Sequence, residues 1–365
     1  MLISHPNPLL VSMKPKKLPK PFFVLAPMDD VTDTVFRQII GSLAPPDVYF
    51  TEFVNVDGLQ SPGREKLLPK LQFTEKERPI VAQIWGKNPE NFYKTAKELV
   101  EMGFDGIDIN FGCPDKSVIK NGCCIALVNN RGLAGEIIQA TQEGLRYTIH
   151  KKLHIIDDRL LYETINGRNR EKWRQGEDGQ EASPLPLSVK TRLGLNEIDY
   201  TWHEFLLKHK LNMLSIHGRT AKQMSKVPAD WQAIEHIRKL RDRLSPATLI
   251  VGNGDVMSRA HGSKLAAQYS LDGIMIGRGV FHDPFAFAPL ASGESPWKQW
   301  NKEQKINLYK KHVDLLGKTW QNGERKLHTL NKFCKIYVND FDGAKELREQ
   351  LMQTKTIEEL LGILR

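Results

Sequence analysis

Short runs of apolar residues recur along the chain from Phe22 onward, and longer stretches with helical spacing separate them. Most of these runs are nearly continuous rather than alternating, which is typical of parallel strands buried on both faces. The pattern predicts one buried strand for each run. The runs are Phe22–Ala26, Val48–Val54, Ile80–Trp85, Gly106–Phe111, Leu187–Arg192, Met213–His217, Thr248–Val251 and Gly273–Ile276.

The stretches between the runs carry signals for the beginning and the end of helices. Asn88 followed by Pro89 predicts a helix N-terminus, and Gly103 predicts the end of that helix. Thr32 is the expected N-cap of the helix after the first run. Strands that alternate with helices in this way form βαβ units, so the chain is predicted to be an α/β protein with a parallel sheet.

The strand–helix units between residues 21 and 290 match the size of a (β/α)8 TIM barrel. A doubly wound open sheet is the alternative with the same alternation. The barrel is favoured because eight units are present and because polar motifs follow strand after strand. Residues 150–186 are too many for an ordinary loop and are predicted to be an insertion on the face opposite the active site, decorative rather than in contact with a substrate.

Residues 291–365 show helical periods without a strand pattern, which predicts a small all-helical domain after the barrel. From residue 294 onward they hold 14 Lys and Arg against 10 Asp and Glu, and residues 1–20 form a basic arm with four lysines and no acid. The net charge of the whole chain is +9. Most of the positive excess therefore lies outside the barrel, where a large polyanion is the partner that it suits.

The composition excludes several classes of protein. Of the 365 residues 40% are hydrophobic, which is enough for a sizeable core and excludes disorder along the whole chain. No apolar run reaches the roughly 20 residues of a membrane span, and no signal peptide is recognisable, so a cytoplasmic protein is expected. The four cysteines contain no Cys-x-x-Cys pair, so no metal site is expected. A monomer is the expected state.

Polar motifs occupy the carboxyl ends of the predicted strands, where the active site of a barrel is built. Because these motifs recur at the same position relative to each strand, they indicate a functional site rather than a chance pattern. The site would lie at the open end of the barrel where the carboxyl ends of the strands meet, which is its mouth. The motifs are Ala26-Pro27-Met28, Gln83, Asn110-Phe111-Gly112-Cys113-Pro114, Lys190-Thr191-Arg192, His217-Gly218-Arg219-Thr220, Gly252-Asn253-Gly254-Asp255 and Gly277-Arg278-Gly279.

The glycine-rich turns after the last two strands predict a phosphate site. Gly252, Gly254, Gly277 and Gly279 allow the backbone to approach an anion closely, and Arg278 adds a fixed positive charge. For either pair alone, a tight turn is the simpler explanation. No Gly-x-Gly-x-x-Gly segment opens a helix, so a phosphorylated cofactor is indicated but not a dinucleotide bound in a Rossmann fold.

Three side chains at this mouth are candidates for chemistry. Lys190 lies on an apolar strand and requires a partner or a nearby anion. Gln83 offers a donor and an acceptor to a heterocycle edge, or it is a buried amide satisfied by its neighbours. Cys113, between Gly112 and Pro114, is either a small buried hydrophobe or a thiol that acts as nucleophile or proton donor.

These motifs resemble those of the tRNA-dihydrouridine synthases. The resemblance runs from about Phe23 to Phe287 and extends less specifically into the helical region. The residues that carry it are Ile107 to Pro114 with Val118 and Gly122, then His217 to Thr220 with Asp230-Trp231, and in the helical region Lys332, Lys335 and Tyr337.

The resemblance implies a barrel that binds FMN and reduces uridine in tRNA, with NADPH as the reductant of the flavin. It implies hydride transfer to C6 of a flipped-out uracil while Cys113 protonates C5. Asn110 and Arg192 would contact the uracil edge, and the basic arm and helical domain would bind tRNA phosphates. The implied flavin contacts are Ala26, Pro27, Met28, Gln83, Lys190 and His217 at the ring, and Asn253, Gly254, Asp255, Gly277 and Arg278 at the ribityl chain and phosphate.

One loop departs from the family pattern, since Gly122-Cys123-Cys124 stands where Gly-x-Gly is usual. This departure leaves two adjacent thiols that can be oxidised. Two other functions remain open. One is an FMN-dependent barrel oxidoreductase of small molecules, similar to dihydroorotate dehydrogenase, and the other is a barrel that binds RNA without catalysis.

Overall fold

The computed structural model describes residues 18–146, 184–290 and 294–365. Its eight strands form a single parallel sheet in the order β1-β8-β7-β6-β5-β4-β3-β2. The strands are β1 (Phe22–Leu25), β2 (Tyr49–Asn55), β3 (Ile80–Trp85), β4 (Gly106–Phe111), β5 (Leu187–Arg192), β6 (Met213–His217), β7 (Leu249–Asn253) and β8 (Gly273–Ile276).

The two ends of this sheet meet. Val24 in β1 pairs in parallel with Val48 just before β2, and the Leu25 amide donates to the Val48 carbonyl over 3.1 Å. The sheet is therefore a closed barrel, so the predicted (β/α)8 architecture is confirmed and the open sheet is excluded. The predicted strand bounds agree within two residues, the largest difference being at β7, which extends to Asn253.

Nine helices follow the strands within the described part of the barrel, and four more form the region after it. The barrel helices are α1 (Thr34–Leu43), α2 (Val56–Leu59), α3 (Pro89–Glu101), α4 (Lys116–Lys120), α5 (Arg131–Leu145), α6 (Tyr200–Lys208), α7 (Trp231–Leu244), α8 (Arg259–Tyr269) and α9 (Gly279–His282). The later helices are α10 (Lys302–Thr319), α11 (Asn331–Tyr337), α12 (Ala344–Gln353) and α13 (Ile357–Ile363).

One predicted helix cap is confirmed and another is wrong. The Asn88 side chain accepts from the Glu90 amide at the start of α3, as the Asn-Pro signal predicts. At α1 the cap is Asp33 rather than Thr32, because the Asp33 carboxylate accepts from the Phe36 amide over 2.9 Å. The Thr32 hydroxyl instead closes a turn by accepting from the Met28 amide over 2.9 Å.

Alternate residues of each strand point into the barrel, so the interior can be followed layer by layer. The bottom of the interior is a separate apolar cluster, and the polar residues of β3 to β7 lie above it, toward the carboxyl ends of the strands. This division leaves a closed base and a polar mouth. The apolar cluster includes Phe22, Val24, Val48, Phe50, Val81, Met213, Leu249, Val251 and Met275.

The later helices pack directly on the barrel. Phe333 of α11 stacks on Phe36 of α1 with ring centroids 4.9 Å apart, and both belong to the hydrophobic core that surrounds the strands. Polar contacts add to this packing, because Arg325 forms ion pairs with Asp30 (3.1 Å) and with the buried Glu52 of β2. The helical region therefore shares one core with the barrel.

Most of the predicted insertion at 150–186, and most of the basic arm at 1–20, lie outside the described residues, so their predicted roles remain predictions. Pro186, at the end of the insertion, accepts from the Ile107 amide over 3.0 Å beside the start of β5. Within the described ranges, no helix is both long and apolar enough to cross a lipid bilayer.

Candidate active site

The register of the sheet brings the predicted site residues side by side around the mouth. Asn110 of β4 lies opposite Lys190 of β5, and Arg192 lies opposite His217 of β6. His217 in turn lies opposite Asn253 of β7. These residues are separated by two positions along their strands or belong to neighbouring strands, so they share the inner face at its carboxyl end.

A buried carboxylate organises the β3–β4 side of the mouth. Asp108 accepts from the Gln83 amide nitrogen over 2.7 Å and from the Ser188 hydroxyl over 2.5 Å. Asn110 then donates to the Gln83 amide oxygen over 3.0 Å. The side-chain nitrogen and the side-chain oxygen of Gln83 each have a protein partner, as in a satisfied buried amide, and one N–H of the nitrogen remains for a further acceptor. Burial raises the pKa of Asp108 to about 6.

Two predicted substrate contacts hold the loop that carries Cys113. The Asn110 side-chain oxygen accepts from the amides of Gly112 and Cys113, each over 3.0 Å. Arg192 donates to the Gly112 carbonyl over 3.0 Å and to two carbonyls of the loop after β6, each over 3.2 Å. Both side chains are more than 90% buried, so the geometry gives them a role in placing the thiol.

Cys113 lies half-buried at the mouth, and a neighbouring side chain lowers the pKa of its thiol. The Cys124 side chain is the main cause that lowers the pKa of Cys113 to about 7, against the opposing effect of burial. Arg192 acts in the same direction. Burial raises the pKa of Cys124 well above its usual value, so Cys124 stays protonated.

The inner face also holds two polar groups without a protein partner. Lys190 points into the barrel, and no hydrogen bond or ion pair to its ammonium is present among the described residues. Burial lowers the pKa of Lys190 to about 8. Ser215, opposite Lys190 on β6, has a fully buried hydroxyl that also lacks a partner in the described chain. Such groups require an acceptor or an anion, so the mouth fits a polar, electron-rich ligand.

The hydrogen-bond partner of His217 determines its tautomer. Arg219 Nη1 lies 3.2 Å from His217 Nε2, and a guanidinium can only donate, so Nε2 accepts and Nδ1 carries the hydrogen. Burial, followed by the neighbouring Lys and Arg side chains, lowers the pKa of His217 to about 2. His217 is therefore a neutral N–H donor at the mouth.

The predicted phosphate site lies where the neighbouring strands β7 and β8 end. Gly254 has φ +136, and a Cβ atom there would lie 2.5 Å from the Ala229 side chain, so glycine is required. Asp255 binds Arg219 and lies 3.4 Å from the Arg278 guanidinium, which is 60% exposed. The Arg278 side chain is thus oriented by a carboxylate while its charge stays open to solvent.

The segment Ala26-Pro27-Met28, a predicted contact of the ligand, lies beside β8. The Ala26 amide donates to the Ile276 carbonyl over 2.9 Å. A Cβ atom on Gly277 would lie 3.5 Å from Ala26 and 3.8 Å from the Met28 sulfur. Ala26, Pro27 and Met28 therefore run alongside the β8 turn.

Sequence reasoning assigned no role to four residues of this site: Asp108, Ser215, Arg219 and Cys124. Asp108 and Ser215 lie inside apolar runs, and their spacing of two from Asn110 and His217 was the available signal. Arg219 lies within a motif already singled out. The effect of Cys124 on the pKa of Cys113 had no signal in the sequence.

A cluster of three carboxylates lies at the β1–β2 edge of the mouth. Among the described residues, oxygen atoms of Asp29, Asp30 and Glu52 all lie within 4.8 Å of one another. Lys70 pairs with Asp29 and approaches Glu52 at 3.9 Å, and Arg325 pairs with the other two. Two cations therefore already pair with the three carboxylates of the cluster.

Comparison with known proteins agrees with this architecture. A family model described as dihydrouridine synthase matches residues 24–166 and 177–365. The probable tRNA-dihydrouridine synthase 2 of Bacillus subtilis (strain 168) is 42% identical over 353 residues, which cover 96% of this chain and 94% of the relative. The probable tRNA-dihydrouridine synthase of Staphylococcus aureus (strain COL) is 41% identical over 351 residues, 95% and 93% of the two chains.

A solved structure supports the barrel independently. Histamine dehydrogenase from Rhizobium sp. 4-9 matches with a TM-score of 0.51 at 13% identity, over 80% of this chain. The chain spans about half of that enzyme, since the match covers 48% of it, and the likeness concerns the fold alone. The family match and the two relatives cover the barrel and the later helices together, and the chain belongs to the dihydrouridine synthase family.

Proposed function

We propose that this protein is an FMN-dependent tRNA-dihydrouridine synthase that uses NADPH as its reductant. The observation that carries the proposal is the half-buried thiol of Cys113 at a mouth whose inner face also holds Lys190, which has no hydrogen bond or ion pair among the described residues. The family and the names of its relatives supply the reaction and the substrate. FMN, when bound, supplies the hydride that adds to C6 of the uracil.

The residues of the mouth fit the proposed flavin. The Lys190 ammonium and the Ser215 hydroxyl lack partners in the described chain, and the ring of a flavin offers carbonyl and nitrogen acceptors. The Nδ1–H of His217 and the free N–H of Gln83 are further donors. At the other end, Arg278 and the turn at Gly254 suit the phosphate. The ring would lie against Ala26 to Met28.

In the proposed reaction, Cys113 holds the proton that must reach C5 of the uracil. Addition of hydride at C6 places negative charge on the C5–C4 carbonyl fragment, and a positioned acid removes that charge as it develops. Asn110 and Arg192 fix the backbone around the thiol, so the acid approaches one face of the base. Their remaining N–H groups are available to the uracil edge.

The positive excess outside the barrel supports a tRNA substrate. The four lysines of residues 1–20 and the surplus of basic residues from 294 onward suit phosphate binding, which gives affinity without reading sequence. A uridine within folded RNA has to leave its stack to enter the barrel mouth. A small-molecule reductase has no need of these basic regions.

The proposal is tested by incubating purified protein with unmodified tRNA, FMN and NADPH and measuring dihydrouridine in nucleoside digests by mass spectrometry. We expect a flavin absorption spectrum, a salt-sensitive complex with tRNA, and dihydrouridine that depends on NADPH. Flavin without tRNA binding would favour a small-molecule oxidoreductase. tRNA binding without flavin would favour the barrel that binds RNA without catalysis.

We expect Arg278→Ala to weaken flavin binding by roughly 10–100-fold, because it removes a charge-assisted hydrogen bond of about 1.5–3 kcal/mol to the proposed phosphate. Flavin content after purification and a dissociation constant from fluorescence titration measure this effect. Lys264→Ala, which removes an exposed charge on α8, is the matched control and should retain normal flavin content. Unchanged flavin binding in Arg278→Ala would contradict the phosphate assignment.

We expect kcat/KM to fall as the pH rises through about 7, because the acid form of Cys113 disappears above its lowered pKa. The decline should approach about tenfold per pH unit on the alkaline side. Cys124→Gly removes the side chain that lowers the pKa of Cys113, so the decline of kcat/KM in this variant should begin at a higher pH. A profile that is flat between pH 6 and 9 in the parent protein would argue against a thiol as the acid.

A further inference from the structure

Apolar side chains are exposed along one side of the barrel mouth. Four of the seven large hydrophobic residues that are exposed within the described ranges lie in the loops after β5, β6 and β7, at the carboxyl ends of these strands. They are Ile198, Met224, Val227 and Met257. A single exposed hydrophobic residue needs no explanation, whereas a group of them around a candidate active site indicates a contact surface.

The loop after β6 folds into a tight turn, which is called the rim turn below (residues 221–227). Within it, the Met224 amide donates to the Ala221 carbonyl over 3.2 Å, and the Lys226 amide donates to the Gln223 carbonyl over 2.9 Å. Met224 has φ +51, in the left-handed region, where a side chain carries a conformational cost. This side chain is 47% exposed, so packing in the core does not explain why the chain keeps it there.

The rim turn is fastened to the active-site mouth by two buried guanidinium groups. Arg192 donates to the Met224 carbonyl over 3.2 Å and to the Gly112 carbonyl, in the loop that carries the proposed acid, over 3.0 Å. Arg219 donates to the Val227 carbonyl over 2.5 Å. The backbone of the turn is therefore fixed beside the site, while its side chains project into solvent.

Two exposed lysines flank Met224 in the rim turn. Neither Lys222 nor Lys226 has an ion pair or a side-chain hydrogen bond within the part of the chain that the structure describes. Asp255, whose carboxylate binds the end of this loop, is already paired with two arginines. An apolar side chain between two exposed cations suits RNA, because its phosphates are anionic and its unstacked bases present apolar faces.

We propose that the rim turn is a contact for tRNA, in which Met224 packs against a base next to the uridine that enters the mouth and Lys222 and Lys226 bind the flanking phosphates. This inference rests on the proposed function, since it requires a folded RNA as the substrate. A base that leaves its stack exposes the faces of its neighbours to water, and an apolar side chain that covers such a face offsets part of the cost. The link through Arg192 places this contact beside the loop of the proposed acid.

The apolar contact is tested by the dissociation constant of the full-length protein for an unmodified tRNA transcript, measured by fluorescence anisotropy. We expect Met224→Asn to weaken binding by about 3–10-fold, which corresponds to half the free energy of burying a methionine side chain. Asparagine suits the left-handed backbone, so the fold should be retained. Met224→Leu keeps an apolar side chain and should retain most of the affinity. Leu244→Ala removes an exposed apolar side chain at the closed base of the barrel and should have no effect.

The phosphate contacts are tested by the salt dependence of the same dissociation constant. The double variant Lys222→Ala with Lys226→Ala should lower the slope of log Kd against log salt concentration by about two, one for each lost phosphate contact. Met224→Asn should leave this slope unchanged, because an apolar contact releases no counterion. The matched control is Lys208→Ala with Lys210→Ala, which removes two exposed lysines at the closed base and should also leave the slope unchanged.

The outcomes separate this inference from the proposed function. If the parent protein binds tRNA and Met224→Asn binds it equally well, the apolar contact is wrong. An unchanged salt slope in the double lysine variant would likewise overturn the phosphate contacts. Either result leaves the proposed function standing, since that function requires only that the parent protein binds and reduces tRNA. A parent protein that does not bind tRNA would contradict the proposed function and this inference together.

Discussion

Cys113→Ala is expected to lower the rate of dihydrouridine formation by about 10²–10⁴-fold, the usual contribution of a positioned general acid. Flavin content and tRNA affinity should be unchanged, because the flavin contacts proposed above come from other residues. Single-turnover reduction of unmodified tRNA, followed by mass spectrometry of the nucleosides, measures the rate. The loss should lie in the step that consumes reduced flavin.

Two further variants sharpen this experiment. Cys123→Ala removes a thiol of the same loop whose sulfur lies 3.7 Å from the Asn121 carbonyl oxygen, and it should retain the parent rate. Cys113→Ser keeps a proton on a group of much higher pKa and should retain only a small part of the activity. A normal rate in Cys113→Ala would mean that another group protonates C5.

Glu77→Ala is expected to destabilise the protein by about 3–5 kcal/mol, because it leaves a buried charge without its partner. Arg37 of α1 donates to the Glu77 carboxylate over 2.7 Å, and the two side chains are 0% and 1% exposed. Thr34 and the Thr74 amide also donate to Glu77, over 2.6 and 2.8 Å. The pair therefore holds the β2–β3 connection against α1. Urea denaturation followed by circular dichroism measures the change.

Glu65→Ala is the control for this prediction, since Glu65 is an exposed carboxylate of the same connection. Its effect should stay within about 0.5 kcal/mol. The double variant Arg37→Met with Glu77→Leu removes both charges and should be more stable than Glu77→Ala alone. Equal stability of Glu77→Ala and the parent protein would show that the Arg37 charge is compensated elsewhere.

The barrel could be predicted from the sequence because its evidence is local. The strands are four to seven residues long and most are largely apolar, as at Phe22–Leu25, and such a run needs no knowledge of its neighbours to be recognised. The cap of α1 shows where local evidence fails. Thr32 and Asp33 are both good caps, and the choice depended on the turn at Met28, which occupies the Thr32 hydroxyl.

The positions of the site residues could be predicted, but their partners could not. Cys113 and Lys190 follow from strand ends and polarity. The effect of Cys124 on the pKa of Cys113 depends on the path of the loop through α4, and the tautomer of His217 depends on the placement of the Arg219 side chain. Distances of this kind are set by tertiary packing, which leaves no periodic mark in a single sequence.

The ion pairs of Arg325 have a consequence for how the enzyme can be altered. Arg325 and Lys332 both bind Asp30, which lies just after the Ala26-Pro27-Met28 segment. Arg325 also pairs with the buried carboxylate of Glu52. A barrel truncated before residue 294 would expose this carboxylate and the apolar ring of Phe36. The helical region therefore cannot be exchanged for another domain without loss to the barrel. Redesign for another RNA target should therefore change only the outward surface of these helices. The contacts of Arg325 and Lys332 with the barrel should be kept.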